Sequence, residues 1–226
     1  MAKISIIGGH GKIALRLAPL LVDAGHEVSS WIRSDTQTDD VQQTGATAVL
    51  LDVEQADVAA MTTQLDGCDI VIWSAGAGGG NPARTYAVDR DAAIRSMQAA
   101  AKAEVGRYIM VSYFGASTDH GVPEDNSFFP YAEAKAAADE HLAGSGQPHT
   151  ILGPSRLTDE PGTGRIEIPA SGDVPGEGKA EVSRDDVAAV IAEVVRMVVN
   201  DAQALRDATV EFNNGSTPIA EALRSL

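Results

Sequence analysis

Two hydrophobic periods alternate along this chain. Short runs of apolar and β-branched residues are separated by segments whose apolar positions recur every three or four residues. The first run, KISII at Lys3–Ile7, is followed by Ile13, Leu17 and Leu21 on one helical face. Further strands are predicted at 27–32, 46–51, 69–73, 107–113, 149–152 and 209–212. Helices are predicted at 36–44, 58–65, 86–103, 131–143 and 185–199, with a last helical turn or two at 219–226.

Strands that alternate with helices favour an α/β fold, in which a parallel sheet carries helices on both faces. The strand at 69–73 is apolar throughout, as expected for a strand buried on both faces. No repeat or linker divides the chain, so one domain is predicted over 1–226. The Gly- and Pro-rich stretch 153–181 is predicted to form a small irregular lobe with one short strand at 164–168.

Composition narrows the functional classes. The chain has 226 residues, 44% of them hydrophobic, which is enough for one core without disulfides. A net charge of −15 opposes binding to nucleic acids and to anionic lipid surfaces. The single cysteine, Cys68, excludes an intramolecular disulfide, and no apolar run reaches the length of a membrane span. We therefore expect a soluble cytoplasmic protein with no nucleic-acid or membrane partner.

The turn after the first strand is rich in glycine. It combines G-x-x-G-x-x-A and G-x-G-x-x-A patterns, placed between a strand and an amphipathic helix. Glycines let the backbone approach a diphosphate closely, and the helix offers free N–H groups and the positive end of its dipole. The sequence therefore predicts a dinucleotide site formed by Gly8, Gly9, His10, Gly11, Lys12 and Ile13.

The end of the second strand distinguishes the two pyridine dinucleotides. An acidic residue there would accept a hydrogen bond from the ribose 2′-OH, whereas arginine would pair with a 2′-phosphate. Here the strand ends in Arg33 and Ser34. This favours NADP over NAD, although Arg33 as an ordinary solvated charge is the alternative.

Two further strand ends complete the predicted cofactor site. Asp52 and Val53 follow the third strand, where they can contact the adenine ring; Asp52 as the N-cap of the next helix is the alternative. Ala75, Gly76 and Ala77 follow the fourth strand, where small residues leave room for the adenosine ribose and the diphosphate.

Ser112, Tyr131 and Lys135 are the candidate catalytic residues. Tyr131 and Lys135 have the spacing Y-x-x-x-K, which places them on one face of a helix. A nearby ammonium is expected to lower the pKa of the phenol, so that Tyr131 can act as a general acid or base. Ser112 ends the fifth strand and could donate to the same substrate oxygen. Alternatively, Tyr131 packs against Phe128 or Phe129 and Lys135 is solvated.

Taken together, these landmarks resemble the short-chain dehydrogenase/reductase superfamily. The chain is most similar to its small atypical members, the NAD-dependent epimerase/dehydratase-like proteins, and it also resembles NmrA-type and biliverdin-reductase-B-type proteins. The matching segments are Gly8–Ala14, Asp52-Val53, Tyr131–Lys135, Pro154–Leu157, Ser183–Val187 and Thr217–Ile219.

The resemblance implies a Rossmann-type, doubly wound sheet with NADP across its switch point. It also implies that Lys135 reaches the nicotinamide ribose and that Pro154 and Arg156 lie near the nicotinamide. Two departures stand out. The usual active-site Asn has no equivalent, Asp89 being the nearest polar candidate, and the lobe is too short for a nucleotide-sugar substrate.

We therefore expect an NADP-dependent oxidoreductase that acts on a small carbonyl or alcohol. A non-catalytic NADP(H) sensor of NmrA type and a flavin or biliverdin reductase are the alternatives. The apolar faces of the helices at 86–103 and 131–143 are candidates for a homodimer contact or for the core.

Overall fold

Parallel strands form the centre of the molecule. The computed structural model describes residues 1–78, 80–169 and 180–226, and within these residues nine strands form one sheet in the order β11-β8-β10-β6-β5-β4-β1-β2-β3. The strands are β1 (Lys3–Ile7), β2 (Glu27–Ile32), β3 (Thr47–Leu50), β4 (Ile70–Trp73), β5 (Arg107–Val111), β6 (His149–Pro154), β7 (Arg156–Thr158), β8 (Arg165–Glu167), β9 (Glu181–Ser183), β10 (Ala208–Asn214) and β11 (Thr217–Pro218). The seven neighbouring strands β3, β2, β1, β4, β5, β6 and β10 all pair in parallel. At the other edge of the sheet, β8 pairs antiparallel with β10 and with β11.

Helices cover both faces of this sheet. They are α1 (Ala14–Asp23), α2 (Thr38–Gln42), α3 (Val58–Gln64), α4 (Pro82–Thr85), α5 (Ala93–Lys102), α6 (Phe129–Gly144), α7 (Arg184–Asn200) and α8 (Ile219–Arg224). A 3₁₀ turn at Asp35–Gln37 precedes α2, and Ser183 caps α7 by accepting a hydrogen bond from the Asp186 amide. The predicted Rossmann-type, doubly wound fold is confirmed.

Side chains that alternate along each strand divide the core into two layers. Ile4 and Ile6 of β1 face the layer that contains α1 and α7, whereas Ile7 faces the layer that contains α3 and α5. In the second layer, Ala93, Met97 and Ala100 are fully buried. The predicted apolar face of the 86–103 helix therefore packs into the core.

The order in which strands are added to the sheet reverses between β1 and β4. β2 and β3 extend the sheet on one side of β1, and β4, β5, β6 and β10 extend it on the other. The crevice at the carboxyl ends of the strands beside such a switch point is where open α/β sheets bind ligands.

The structure corrects two predicted elements. The single helix expected at 86–103 is interrupted, because Tyr86–Ala92 is π-helical and connects α4 to α5. A π-helical turn rotates the positions that follow it, and here Asp89 is almost completely buried. Besides the expected short strand, observed as β8, the 153–181 lobe contains β7, which pairs with β9 at the end of the lobe. Residues 170–179 of this lobe lie outside the described residues.

Candidate functional site

A cavity of about 350 Å³ lies at the carboxyl ends of the first four strands. Four segments contribute most of its wall: the glycine turn after β1 and the residues that follow β2, β3 and β4. The predicted cofactor residues that line it are Gly8, His10, Gly11, Arg33, Asp52, Val53, Ala75, Gly76 and Ala77. The structure therefore brings together residues that the sequence places in four separate turns.

Close backbone packing fixes the glycine turn. Gly8 has φ +87°, and a Cβ there would lie 2.5 Å from the Cα of Ala75. A Cβ on Gly9 would lie 2.5 Å from the Cβ of Ser30. Any side chain at either position would displace a neighbouring strand end, so both positions require glycine.

The turn also offers unpaired donors. Helix α1 begins after Ile13 without a side-chain cap. None of the amides of Lys12, Ile13 and Ala14 donates a hydrogen bond to the residues that the structure describes. Free amides at a helix N-terminus form an anion site, and a diphosphate fits this donor set.

The residues after β2 hold the charges on one side of the cavity. Arg33 lies on its wall, is exposed, and forms no ion pair with any described residue. The His10 ring is fixed between Asp40, at 2.7 Å from Nε2, and Gln37, at 3.1 Å from Nδ1. Ser34 caps the 3₁₀ turn by accepting from the Thr36 amide and does not line the cavity.

The segment after β3 is held by interactions that the sequence analysis missed. The carboxylate of Asp52 accepts from the Glu54 amide at 3.0 Å, and Asp57 caps α3, so the alternative role of Asp52 as that cap is wrong. Arg95 donates to the backbone carbonyls of Val53, Glu54 and Ala56, which fixes the segment in place. At the rim, Arg84 pairs with Glu54 at 3.1 Å.

Several predicted cofactor residues contact other groups and do not line this cavity. Gly9 packs against Ser30 of β2, and Ile13 is buried in the core. The Pro154 carbonyl accepts a hydrogen bond from the Phe114 amide. Lys12 pairs with Asp159 at 2.7 Å, and Arg156 pairs with Glu181. These two cations are therefore tied to the 153–181 lobe.

The candidate catalytic residues lie between β5 and α6. Lys135 is 1% exposed, and its ammonium donates to the Val111 carbonyl at 2.8 Å and contacts the Met110 sulfur at 3.1 Å. The Lys135 side chain therefore points towards the end of β5 and does not line the cavity. The alternative prediction that Lys135 is exposed to solvent is wrong. The Ser112 hydroxyl donates to the carboxylate of Asp139.

Tyr131 belongs to an aromatic cluster. Its ring centroid lies 5.6 Å from that of Tyr113 and 5.3 Å from that of Phe128, which matches the packing alternative for this residue. Burial raises the pKa of Tyr131 above its usual value, and the nearby carboxylates of Asp89 and Asp139 raise it further. This shift is opposite in direction to the one expected from the Tyr-Lys spacing, because burial raises the pKa most and the charges that add to it are the two carboxylates.

Two carboxylates flank Lys135. Burial raises the pKa of Asp89 and that of Asp139, while the Lys135 charge opposes both shifts. Burial lowers the pKa of Lys135, and the two carboxylates counteract that. Asp89 also accepts from the Ala77 amide at 2.9 Å, which connects this charge cluster to the cavity wall.

The sequence analysis noted Asp89 but missed Asp139. The signal was present, because residues 131, 135 and 139 are spaced four apart and share one helical face.

Within the described residues no group of three or more His, Cys, Asp or Glu side chains could hold a metal, and no helix is long and apolar enough to cross a membrane.

Comparisons with known proteins agree with this geometry. The NAD(P)H-binding family model matches residues 8–197. The uncharacterised sugar epimerase YhfK of Bacillus subtilis (strain 168) is 36% identical over 229 residues, covering 99% of this chain and 100% of the relative.

Solved structures show the same architecture. A Bacillus halodurans protein named as a candidate NAD-dependent epimerase/dehydratase superposes with a TM-score of 0.88 at 30% identity, covering 100% of both chains. The anaerobilin reductase ChuY of Escherichia coli O157:H7 shares the fold, with a TM-score of 0.75 at 22% identity over 95% of this chain and 98% of ChuY. With the family model matched over residues 8–197 and a relative 36% identical along its whole length, this chain belongs to the NAD(P)H-binding family of Rossmann-type, epimerase/dehydratase-like proteins.

Proposed function

We propose that the protein is an NADP-dependent oxidoreductase that acts on a small carbonyl or alcohol. The observation that carries this proposal is the glycine turn, which lines the same cavity as Arg33 and leads directly into a helix N-terminus with free amides. When bound, the nicotinamide supplies or accepts a hydride. The chain itself must bind the dinucleotide, place the substrate oxygen and move one proton.

Arg33 supports the choice of NADP. It is a cation on the cavity wall, and its guanidinium is not neutralised by any described residue. A charge-assisted hydrogen bond to a 2′-phosphate is worth about 1.5–3 kcal/mol. The ribose hydroxyl of NAD lacks the charge that makes this contact strong.

Arg33→Ala is therefore expected to weaken NADPH binding by about tenfold to a hundredfold. NADH binding should be unchanged, because only the 2′-phosphate distinguishes the two ligands. Titration calorimetry with both nucleotides measures the effect. Arg196→Ala is the matched control, since Arg196 pairs with Glu193 on α7 and does not line the cavity. An equal loss for NADH and NADPH would contradict the assignment.

Tyr131 is the proposed proton donor and acceptor. Its phenol is protonated at neutral pH and can donate to a carbonyl oxygen as that oxygen gains electron density, while its raised pKa makes it a weaker acid than an unperturbed tyrosine. Ser112, at the carboxyl end of β5, is the second group proposed to contact the substrate oxygen. Lys135 holds the end of β5 through the Val111 carbonyl and balances the charge of the two carboxylates.

Tyr131→Phe is expected to lower NADPH-dependent turnover of a responsive carbonyl by about a hundredfold, since only the proton-transferring hydroxyl is removed. NADPH affinity should stay at the wild-type level, because the ring still packs against Tyr113 and Phe128. A carbonyl panel followed at the NADPH absorbance band provides the measurement. An undiminished rate would refute the role of Tyr131. Tight NADPH binding without turnover of any carbonyl would favour the NADP(H)-sensing alternative.

A further inference from the structure

Ser112 has one hydroxyl proton, and the carboxyl group beside it determines how that proton is used. The hydroxyl donates to a carboxylate oxygen of Asp139, 27 residues further along the chain. Ser112 as a whole is 4% exposed, so this hydroxyl and its carboxylate partner lie mostly inside the fold. While Asp139 is ionised, Ser112 can therefore accept a hydrogen bond at a substrate oxygen but cannot donate one.

The surroundings of Asp139 make its protonated form accessible. Its second oxygen, Oδ1, is buried and has no hydrogen-bond partner among the described residues. A carboxylate with one satisfied oxygen in a buried setting is poorly stabilised, and burial raises the pKa of this group. The titratable and charged groups near it are Lys135 and Tyr131 on α6, Tyr108 and Tyr113 on and after β5, and Asp89 on the π-helical segment beyond Lys135.

We propose that Asp139 is a positioning residue that switches the Ser112 hydroxyl between accepting and donating a hydrogen bond at the substrate oxygen. The inference rests on the proposed function. When Asp139 is ionised, Ser112 donates its proton in the hydrogen bond to Asp139. A lone pair of the serine oxygen can then accept a hydrogen bond from a substrate alcohol. In the protonated state, Asp139 donates its own proton to the serine oxygen, and the Ser112 proton is free to donate to a substrate carbonyl. One proton is gained from solvent by the carboxylate, and no other bond changes.

The two states favour opposite directions of the reaction. A carbonyl substrate needs a donor, so its reduction is supported when Asp139 is protonated. An alcohol substrate needs an acceptor for its hydroxyl proton, so its oxidation is supported when Asp139 is ionised. Carbonyl reduction should therefore fall as the pH rises through the pKa of Asp139, by about tenfold per pH unit in the contribution made by Ser112.

The experiment compares pH profiles of kcat/KM for carbonyl reduction in wild type, Asp139→Asn, Ser112→Ala and the double variant. Asp139→Asn cannot titrate, so the part of the pH slope due to this carboxyl should disappear. Because Asp139 acts through Ser112, the double variant should match Ser112→Ala within about twofold. Glu140→Gln, one residue along α6 and exposed, is the matched control and should keep the wild-type slope. NADPH affinity, measured for every variant, confirms that each one folds.

An infrared titration gives a readout that needs no turnover. The wild-type minus Asp139→Asn difference spectrum, from which the signals of Asp89 and the other carboxyls cancel, should contain a protonated-carboxyl band that disappears with rising pH. This band should shift in Ser112→Ala because its hydrogen-bond partner is gone. An Asp139→Asn profile with the wild-type slope, or a band unaffected by Ser112→Ala, would overturn the proposal. If the wild type binds NADPH but reduces no carbonyl, the proposed function fails. The infrared shift then decides alone whether Asp139 controls the Ser112 proton.

Discussion

Gly8→Ala is expected to abolish NADPH binding. The new methyl group would lie 2.5 Å from the Cα and 2.6 Å from the amide nitrogen of Ala75, which are backbone atoms that cannot rotate away. Either the glycine turn or the end of β4 must move, and both are walls of the cavity. Trp31 also lies on that wall, so loss of its fluorescence response to added NADPH measures the effect.

The matched control for this substitution is Gly25→Ala. Gly25 has φ +82°, similar to the +87° of Gly8, but a Cβ there meets no atom within 4 Å. Strain in the left-handed region should cost both variants about 1–2 kcal/mol of unfolding free energy, and the clash with Ala75 should make the loss larger in Gly8→Ala. Only Gly8→Ala should also lose the nucleotide. Equal NADPH affinities in the two variants would show that the glycine turn does not hold the diphosphate.

The strands and helices around this turn could be predicted from sequence for a local reason. Each strand or helix buries one or both faces, so the spacing of its apolar residues can be recognised within a short stretch of sequence. Lys3–Ile7 and α1 are examples. The glycine turn was recognisable because its meaning depends only on the strand before it and the helix after it. The cavity residues after β2, β3 and β4 followed, since parallel strands end at one edge of the sheet.

The contacts that the sequence did not predict join residues far apart in the chain. Ser112 and Asp139 are brought together by the packing of α6 beside β5, and Arg95 reaches carbonyls about forty residues earlier. The π-helical turn that buries Asp89 leaves no periodic signal in seven residues. The direction of the Tyr131 pKa shift could not be predicted either, because it depends on the burial of the phenol and on two carboxylates that only the fold places near it.

Lys135→Met tests the charge cluster and should be strongly destabilising. Lys135 is fully buried and the charges of Asp89 and Asp139 act on it, and methionine keeps most of its length while removing the charge. Removing one partner from a buried ionic cluster typically costs about 3–5 kcal/mol. We expect a loss of that size at neutral pH, measured as the unfolding free energy in urea. Lys102→Met, an exposed lysine in the last turn of α5, is the control and should change stability by no more than about 0.5 kcal/mol.

The pH dependence of this loss distinguishes a charge effect from a packing defect. A buried carboxyl with a raised pKa binds its proton more readily in the folded than in the unfolded chain, so it destabilises the fold increasingly as the pH rises through its folded-state pKa. Without Lys135 both carboxyl pKa values should rise further, and the deficit of Lys135→Met relative to wild type should shrink as the pH falls and both groups become protonated. Adding Asp139→Asn to Lys135→Met should restore part of the stability at neutral pH. A deficit of constant size at every pH would show that the lysine contributes packing alone.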